Sequence, residues 1–291
     1  MTTEGPDLEG RVAVVTGGGG AIGGASCVLL AEHGADVVIA DNDAERAAGV
    51  AAEVERRGRK ALPVVVDLTA EGGVAELAER AQAAFDHVDI LVNGLGEHLA
   101  MAGPWDRSTE EQWDALYRVN LLHVFQASRA FAPGMCERGW GKIVNFSSVE
   151  GIRAMPSHPV YTAFKGAIDS FTKSLGVDLA GRGVNVNCIA VDKTKAYQVN
   201  FYQLGEEYDR MVPVWIPAGR YAEADDVAKV VLFLSTDQSA WVVGQTIPAD
   251  GGTLAAGGWY RTPGRWTNSP LLVQYFEDDP SINQARPPSV Q

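Results

Sequence analysis

Cysteine is scarce: the 291-residue chain holds three, Cys27, Cys136 and Cys188. They are far apart, odd in number and show no C-x-x-C or Cys/His ligand spacing, which excludes a disulfide framework. Reduced, mostly buried thiols and no metal site are the expectation. Positive charge is also short, with 24 Lys and Arg against 37 Asp and Glu and a formal net charge of −13. Such a surface repels a phosphate backbone, so nucleic acid is an unsuitable main partner. No apolar run approaches the ~20 residues of a membrane helix. The opening residues, MTTEGPDLEG, are polar and acidic rather than a basic flank leading into an apolar stretch. No signal peptide is expected from them, and the cytoplasm is the default address.

What is present is a repeated alternation. Short runs rich in Val, Ile and Leu, such as 11-RVAVVT-16, 35-ADVVIAD-41, 62-LPVVVD-67, 88-VDILVN-93, 141-GKIVNFS-147, 184-VNVNCIA-190 and 244-GQTIPAD-250, read as strands. Between them lie segments of helical period, including 22–34, 43–58, 74–85, a long helix from about Thr109 to Arg129, 161–180 and 224–235. Near-continuous apolar strands separated by helices imply a parallel sheet covered on both faces, and right-handed crossovers make it a doubly wound α/β sheet. Residues 1–9 form an N-terminal tail, 10–253 one domain, and 254–291 a C-terminal extension. Two segments break the alternation: 192–223, and the extension with Trp259, Tyr260, Trp266, Tyr275 and Phe276. So aromatic an extension is expected to pack on the core or a neighbouring subunit, because disorder goes with few aromatics.

The first strand runs into 16-TGGGGAIGG-24 and then a helix. Glycines there let backbone approach a pyrophosphate seated on the free N–H groups of a helix N-terminus. The second strand ends in Asp41, where a carboxylate accepts both ribose hydroxyls of an adenosine and repels a 2′-phosphate. No Arg or Lys stands at positions 18–24 or 42 to receive that phosphate, which favours NAD over NADP. Asp41 or Asp43 also suits a plain helix N-cap. Tyr161 and Lys165, at i and i+4, project from one helix face; an ammonium beside a phenol stabilises the phenolate and eases proton exchange with an alcohol. Ser148 ends the preceding strand, at the carboxyl edge where open α/β sheets bind ligands.

With these residues in order, the chain resembles the short-chain dehydrogenase/reductase family, in its FabG-like branch of about 250 residues. The likeness spans roughly Gly10 to Thr253. The family's T-G-x-x-x-G-x-G falls on Thr16, Gly17, Ala21 and Gly23, with alanine for the middle glycine, and its N-N-A-G appears as 93-NGLG-96. The resemblance implies a Rossmann fold and hydride transfer between NAD and a secondary alcohol or ketone. It implies a catalytic tetrad of Asn120, Ser148, Tyr161 and Lys165. In that tetrad Tyr161 exchanges the proton, Ser148 holds the substrate oxygen, Lys165 holds the nicotinamide ribose and lowers the Tyr161 pKa, and Asn120 relays protons. It implies cofactor contacts at Gly17, Gly20, Ala21, Ile22, Gly23, Asp41, Asp67, Leu68, Asn93, Gly94, Tyr161, Lys165, Val191 and Thr194. It also implies a mobile substrate loop over 192–223, here carrying Tyr197, Phe201, Tyr202, Tyr208 and Trp215 and suited to a bulky apolar substrate such as a steroid or terpenoid-like ring alcohol. A homotetramer, or a dimer, formed through the helices bearing Asn120 and Tyr161 is the matching assembly.

Where the family turns on Pro-Gly after the sixth strand, this chain has Val191-Asp192, followed by Lys193 and Lys195. The lysines are either a solvated pair or contacts to a pyrophosphate or acidic substrate. Glu97, His98 and Glu150 stand close enough in sequence to the motifs to reach a substrate. Two other readings stay open: a 3-oxoacyl thioester reductase, and a protein that binds NAD as a sensor without turnover. An enoyl reductase is disfavoured because that branch spaces its Tyr and Lys more widely than Tyr161 and Lys165.

Overall fold

In the computed structural model, residues 7–99, 101–196, 206–262 and 265–268 are described. Seven strands form one parallel sheet in the order β3-β2-β1-β4-β5-β6-β7. They are β1 (Val12–Thr16), β2 (Asp36–Asp41), β3 (Ala61–Val65), β4 (Ile90–Asn93), β5 (Gly141–Ser148), β6 (Val184–Val191) and β7 (Thr246–Ala249). The order reverses between β1 and β4, which opens a crevice at the carboxyl ends of the strands. Thr16, Asp41, Asn93, Ser148 and Val191 are the last residues of their strands and therefore line up along that crevice. Register holds them there: Thr16 pairs with Asn93, Asn93 with Asn145, and Ser148 with Val191.

Both faces of the sheet are apolar because both are covered. Ala13, Val15, Val37 and Ile39 point to one layer, where α1 (Ala21–Glu32), α2 (Ala44–Glu55) and α8 (Ala224–Leu234) supply Leu30, Val54 and Val231. Val12, Val14, Val38 and Ala40 point to the other, against Leu77 of α3 (Gly73–Ala84), Phe131 and Met135 of α5 (His123–Arg138) and Leu179 of α6 (Pro159–Ala180). Burying one such side chain fully stabilises the fold by about 1.5–3 kcal/mol.

The helix expected from Thr109 to Arg129 differs in a way that matters. It begins at α4 (Glu110–Tyr117) on a capping box between Thr109 and Gln112, passes through a π-helical turn at Arg118–Leu122, and continues as α5 to Arg138. It outlasts Arg129 because Phe131, Ala132 and Met135 prolong the buried stripe. The wide turn brings both Asn120 and His123 into the interior.

The segment read as irregular contains α7 (Glu206–Trp215), whose Val212 packs with Trp215, Ile216 and Tyr221 as a small separate core. After α9 (Thr253–Ala256), the extension folds into an antiparallel pair, β8 (Tyr260–Thr262) and β9 (Arg265–Thr267). Arg261 ties it to the segment after α7 by donating to the Pro217 carbonyl at 3.0 Å. Tyr197, Phe201, Tyr202, Tyr275 and Phe276 lie outside the described residues. Among the described residues, no helix is long and apolar enough to cross a membrane.

Candidate active site

The crevice holds a cavity of about 730 Å³ running from the glycine turn past the end of β2 to the loop after β4. At the turn, Gly20 caps α1 with no side chain closing the helix, and the first turn carries no acid. Its N–H groups and positive dipole end therefore face the cavity unneutralised, as an anion requires. Glycine is demanded here by contact: a Cβ on Gly23 would lie 2.1 Å from the Gly17 carbonyl oxygen, and Gly17 itself sits at φ +67°. Thr16 Oγ1 accepts from Gly94 N at 3.0 Å and Leu95 N at 3.3 Å, locking the β4 loop against this turn. Gly17, Gly20, Ala21, Ile22, Gly23, Asp41, Asp67, Leu68 and Gly94 all line the cavity. A bare helix terminus with a buried carboxylate beside it fits the phosphate and ribose side of a dinucleotide.

Asp41 is buried and its carboxylate is already engaged. Gly19 N donates to Oδ2 at 3.0 Å, Asp43 N to Oδ1 at 3.0 Å, and Arg46 Nη2 pairs with Oδ1 at 3.1 Å. A single-strand reading of the motif overlooked Arg46 because it stands five residues on, one turn into α2, and folds back to the strand end. Asp43, not Asp41, is the N-cap, accepting from Arg46 N at 3.0 Å. Asp67 Oδ1 accepts from Thr69 N and Oγ1 at 2.8 and 2.7 Å, and these bonds hold its pKa below the usual carboxylate range.

At the other end, Ser148, Tyr161 and Lys165 come together. Ser148 Oγ accepts from Glu150 N at 3.1 Å, and its hydroxyl stands near enough to the Tyr161 phenol to act on its pKa. Lys165 is buried; its Nζ donates to the Phe146 carbonyl at 3.3 Å and lies 5.7 Å from the Tyr161 ring centre. Burial lowers the Lys165 pKa to about 8, against smaller opposing effects of Cys188 and Asp169. The expected lowering of the Tyr161 pKa is not what the surroundings produce. Burial pushes it up, the Ser148 hydroxyl partly offsets this, and the Glu150 carboxylate adds to the rise.

Asn120 is fully buried on the π-helical turn, and its amide grips backbone. Oδ1 accepts from Glu97 N at 3.1 Å, while Nδ2 donates to the carbonyls of Glu97 at 2.8 Å and Leu116 at 3.0 Å. It thus clips the β4 loop to the helix. A Cβ on Gly96 would meet Lys165 Nζ at 2.6 Å and Asn120 Oδ1 at 3.2 Å, so any side chain there displaces the ammonium from this position. His123, a turn further on, is buried and its pKa falls to about 4, first through desolvation and then through the Lys165 charge.

Five expected cofactor contacts do not line the 730 Å³ cavity: Tyr161 and Lys165, described above, and Asn93, Val191 and Thr194. Asn93 sits beneath the crevice, donating to Asn145 Oδ1 at 2.8 Å, while Asn145 donates to Thr172. Val191 extends β6 by pairing with Ser148 and Ala249. Thr194 is buried, donates to the Asp192 carbonyl and bridges to Ala222 rather than lining the cavity; Ala196 lines it instead.

Asp192 points away from the crevice into an ion-paired cluster. Arg153 reaches Glu150 at 3.0 Å and Asp192 at 3.2 Å, and Thr253 Oγ1 donates to the same Asp192 carboxylate. Lys195 pairs with Glu223 on the surface, whereas Lys193 is half-buried over the Trp215 ring, 5.6 Å from its centre. On the substrate side His98 meets Tyr161 edge-on with ring centres 6.3 Å apart, and His158 at 5.6 Å. Desolvation and the His158 charge keep the His98 pKa below its ordinary value. Beside Tyr161 opens a further cavity of about 180 Å³, walled by Met101, Trp105, Trp113 and Val160, the two indoles stacked at 5.3 Å.

Comparison with known proteins agrees with this arrangement. Residues 19–253 match a family model described as Enoyl-(Acyl carrier protein) reductase. The chain is 35% identical over 247 residues to the 3-oxoacyl-[acyl-carrier-protein] reductase FabG of Thermotoga maritima, covering 85% of this chain and 99% of that protein. Levodione reductase superposes with a TM-score of 0.80 at 29% identity, over 86% of this chain and 99% of the other. A 7α-hydroxysteroid dehydrogenase complexed with NADH and 7-oxo glycochenodeoxycholic acid gives 0.79 at 28%, over 84% and 95%.

Proposed function

The chain belongs to the short-chain dehydrogenase/reductase family, and from that premise we propose that it is an NAD(H)-dependent oxidoreductase interconverting a secondary alcohol and a ketone on a bulky, mainly apolar substrate. The observation that carries this reading is the meeting of Ser148, the Tyr161 phenol and the buried ammonium of Lys165 beside Gly96, on the wall of a dinucleotide-sized crevice.

Bound nicotinamide dinucleotide supplies the hydride acceptor or donor. Gly17, Gly20, Ala21, Ile22, Gly23 and Gly94 hold its pyrophosphate side, Asp41 the adenosine ribose, and Asp67 and Leu68 the adenine side. Lys165 holds the nicotinamide ribose. Ser148 orients the substrate oxygen, and Tyr161 moves a proton at its phenolic oxygen. With its pKa raised by burial, the phenol is protonated near neutral pH and is ready to donate during ketone reduction. Alcohol oxidation would need Tyr161 as the phenolate, to accept the hydroxyl proton at the same oxygen. Asn120 fixes Gly96 and Glu97 beside Lys165 and so positions the ammonium from which a water chain would carry protons outward.

Met101, Trp105, Trp113 and Val160 beside Tyr161 support an apolar ring substrate, and the hydroxysteroid dehydrogenase likeness agrees. The FabG likeness favours a 3-oxoacyl thioester as the second reading. We extend the proposal to a cytoplasmic homotetramer packed through α5 and α6, where Val177 is left 75% exposed on α6. NADH formation from a panel of cyclic and steroid-like secondary alcohols, run beside NADH oxidation with a 3-oxoacyl thioester, tests the reading. Turnover of the thioester alone selects the second substrate class. Binding of NADH with no turnover of either panel makes the protein a sensor and overturns the first proposal.

A further inference from the structure

We infer that Arg46 is a movable counter-charge that sets cofactor choice, so that discrimination between NAD(H) and NADP(H) rests on the Asp41–Arg46 pair rather than on Asp41 alone. The inference rests on the dinucleotide reading of the crevice. Its starting point is an acceptor count at one carboxylate. A carboxylate offers about four lone-pair sites. Oδ1 of Asp41 has two filled, by Asp43 N and by Arg46 Nη2, and Oδ2 has one filled, by Gly19 N. One site is left, whereas a ribose diol presents two hydroxyls. The two backbone donors are fixed by the turn and by the start of α2. The guanidinium is the donor that can leave, since its side chain is 42% exposed against 6% for Asp41.

A place to go is already built. Arg46 Nε lies 3.5 Å from Asp43 Oδ2, so the guanidinium can loosen its hold on Asp41 without losing a carboxylate partner. Arg46 also lines the crevice together with Asp41 and Asn42. Its charge therefore stays beside the ribose end after the diol has displaced it. Gly19 fixes how near the pair stands to the phosphate turn: a Cβ there would lie 2.9 Å from both Arg46 Cβ and the Asp41 carboxyl carbon. Two opposite consequences follow. For NAD(H), Arg46 is a competitor for the acceptor that the diol needs. For NADP(H), it is the cation that offsets repulsion between Asp41 and a 2′-phosphate.

Dissociation constants for NADH and NADPH, read by energy transfer from tryptophan to the reduced nicotinamide, test this in the wild type, Arg46→Ala and Arg46→Lys without any substrate. We expect Arg46→Ala to bind NADH severalfold more tightly and NADPH about tenfold or more weakly, the size of one lost charge-assisted contact. Arg46→Lys is expected to restore NADPH binding in part, and salt to weaken NADPH binding more in the wild type than in Arg46→Ala. Equal changes for both dinucleotides, or none, overturn the role of Arg46 while leaving the crevice reading in place. Failure of the wild type to bind either dinucleotide overturns both.

Discussion

At the adenosine end of the crevice the groups facing a ligand are mostly backbone, set by glycines and a helix terminus, with Asp41 and Arg46 the charged pair beside them. At the nicotinamide end the facing groups are side chains: Ser148, Tyr161 and Lys165, braced by Asn120 and Gly96. The first end recognises a shape that recurs in any dinucleotide, and contacts there tolerate little but glycine. The second must hold protons at particular atoms, so it is built by burial and by hydrogen bonds that shift pKa values. Beyond it, at the end of β6, Asp192 is drawn into the cluster with Glu150, Arg153 and Thr253 and ties the wall of the site to α9.

Breaking the braced end is expected to have the largest effect. Gly96→Ala inserts a methyl group into the space where Lys165 Nζ and Asn120 Oδ1 converge. A displacement of that kind costs about 10²-fold in turnover. Circular dichroism and an unchanged urea midpoint distinguish this from misfolding. Next comes the cluster at the end of β6. Asp192→Ala removes one of the two carboxylates that hold Arg153, leaving Glu150, and one of the two acceptors of the Thr253 hydroxyl, leaving Asp250, and a loss of about 1 kcal/mol in urea unfolding is expected. A second removal, Arg153→Leu in the Asp192→Ala background, is expected to cost much less than its own single change, since the pair acts as a unit.

The pH dependence sharpens the contrast further. A lysine with a pKa lowered to about 8 keeps its charge below that value and loses it as pH rises through it. Apparent KM for NAD is therefore expected to rise above about pH 8, and Lys165→Arg to flatten that rise while impairing turnover. The smallest effect concerns stability. His123, neutral in the fold, has a pKa of about 4 against an ordinary 6.5. Between those values the unfolded chain binds more protons than the folded one, so stability rises with pH through that window and levels off above it. Thermal melts from pH 4 to 6.5 check the sign, and His123→Gln is expected to reduce the slope.

Strand ends were readable from the chain because apolar runs buried on both faces stop where the crevice begins, as at Thr16, Asp41, Asn93 and Ser148. The glycine turn and the Tyr161–Lys165 pair were readable for the same reason: their spacing is local. What the spacing does not carry is how a residue from the next element folds back. Arg46 reaches Asp41 from α2, and Arg153 reaches Asp192 from the opposite side of the β5–β6 pairing. Both charges look solvated in sequence. The π-helical turn at Asn120 was hidden because 109–129 has unbroken helical period, and the extra residue shows only once Asn120 and His123 are both turned inward. The Tyr161 pKa was misjudged because a charge four residues away was weighed and burial was not.

The central claim is that Tyr161 moves the proton while the rest of the crevice holds the dinucleotide. Rapid mixing of the enzyme–NAD complex with a cyclic secondary alcohol that the wild type oxidises, repeated with Tyr161→Phe, tests it most directly. The account predicts an unchanged dissociation constant for NAD and a fall in the rate of NADH appearance of about 10²–10⁴-fold, the range that one positioned proton-transfer group contributes. A Tyr161→Phe protein that binds NAD normally and forms NADH within threefold of the wild-type rate would contradict it.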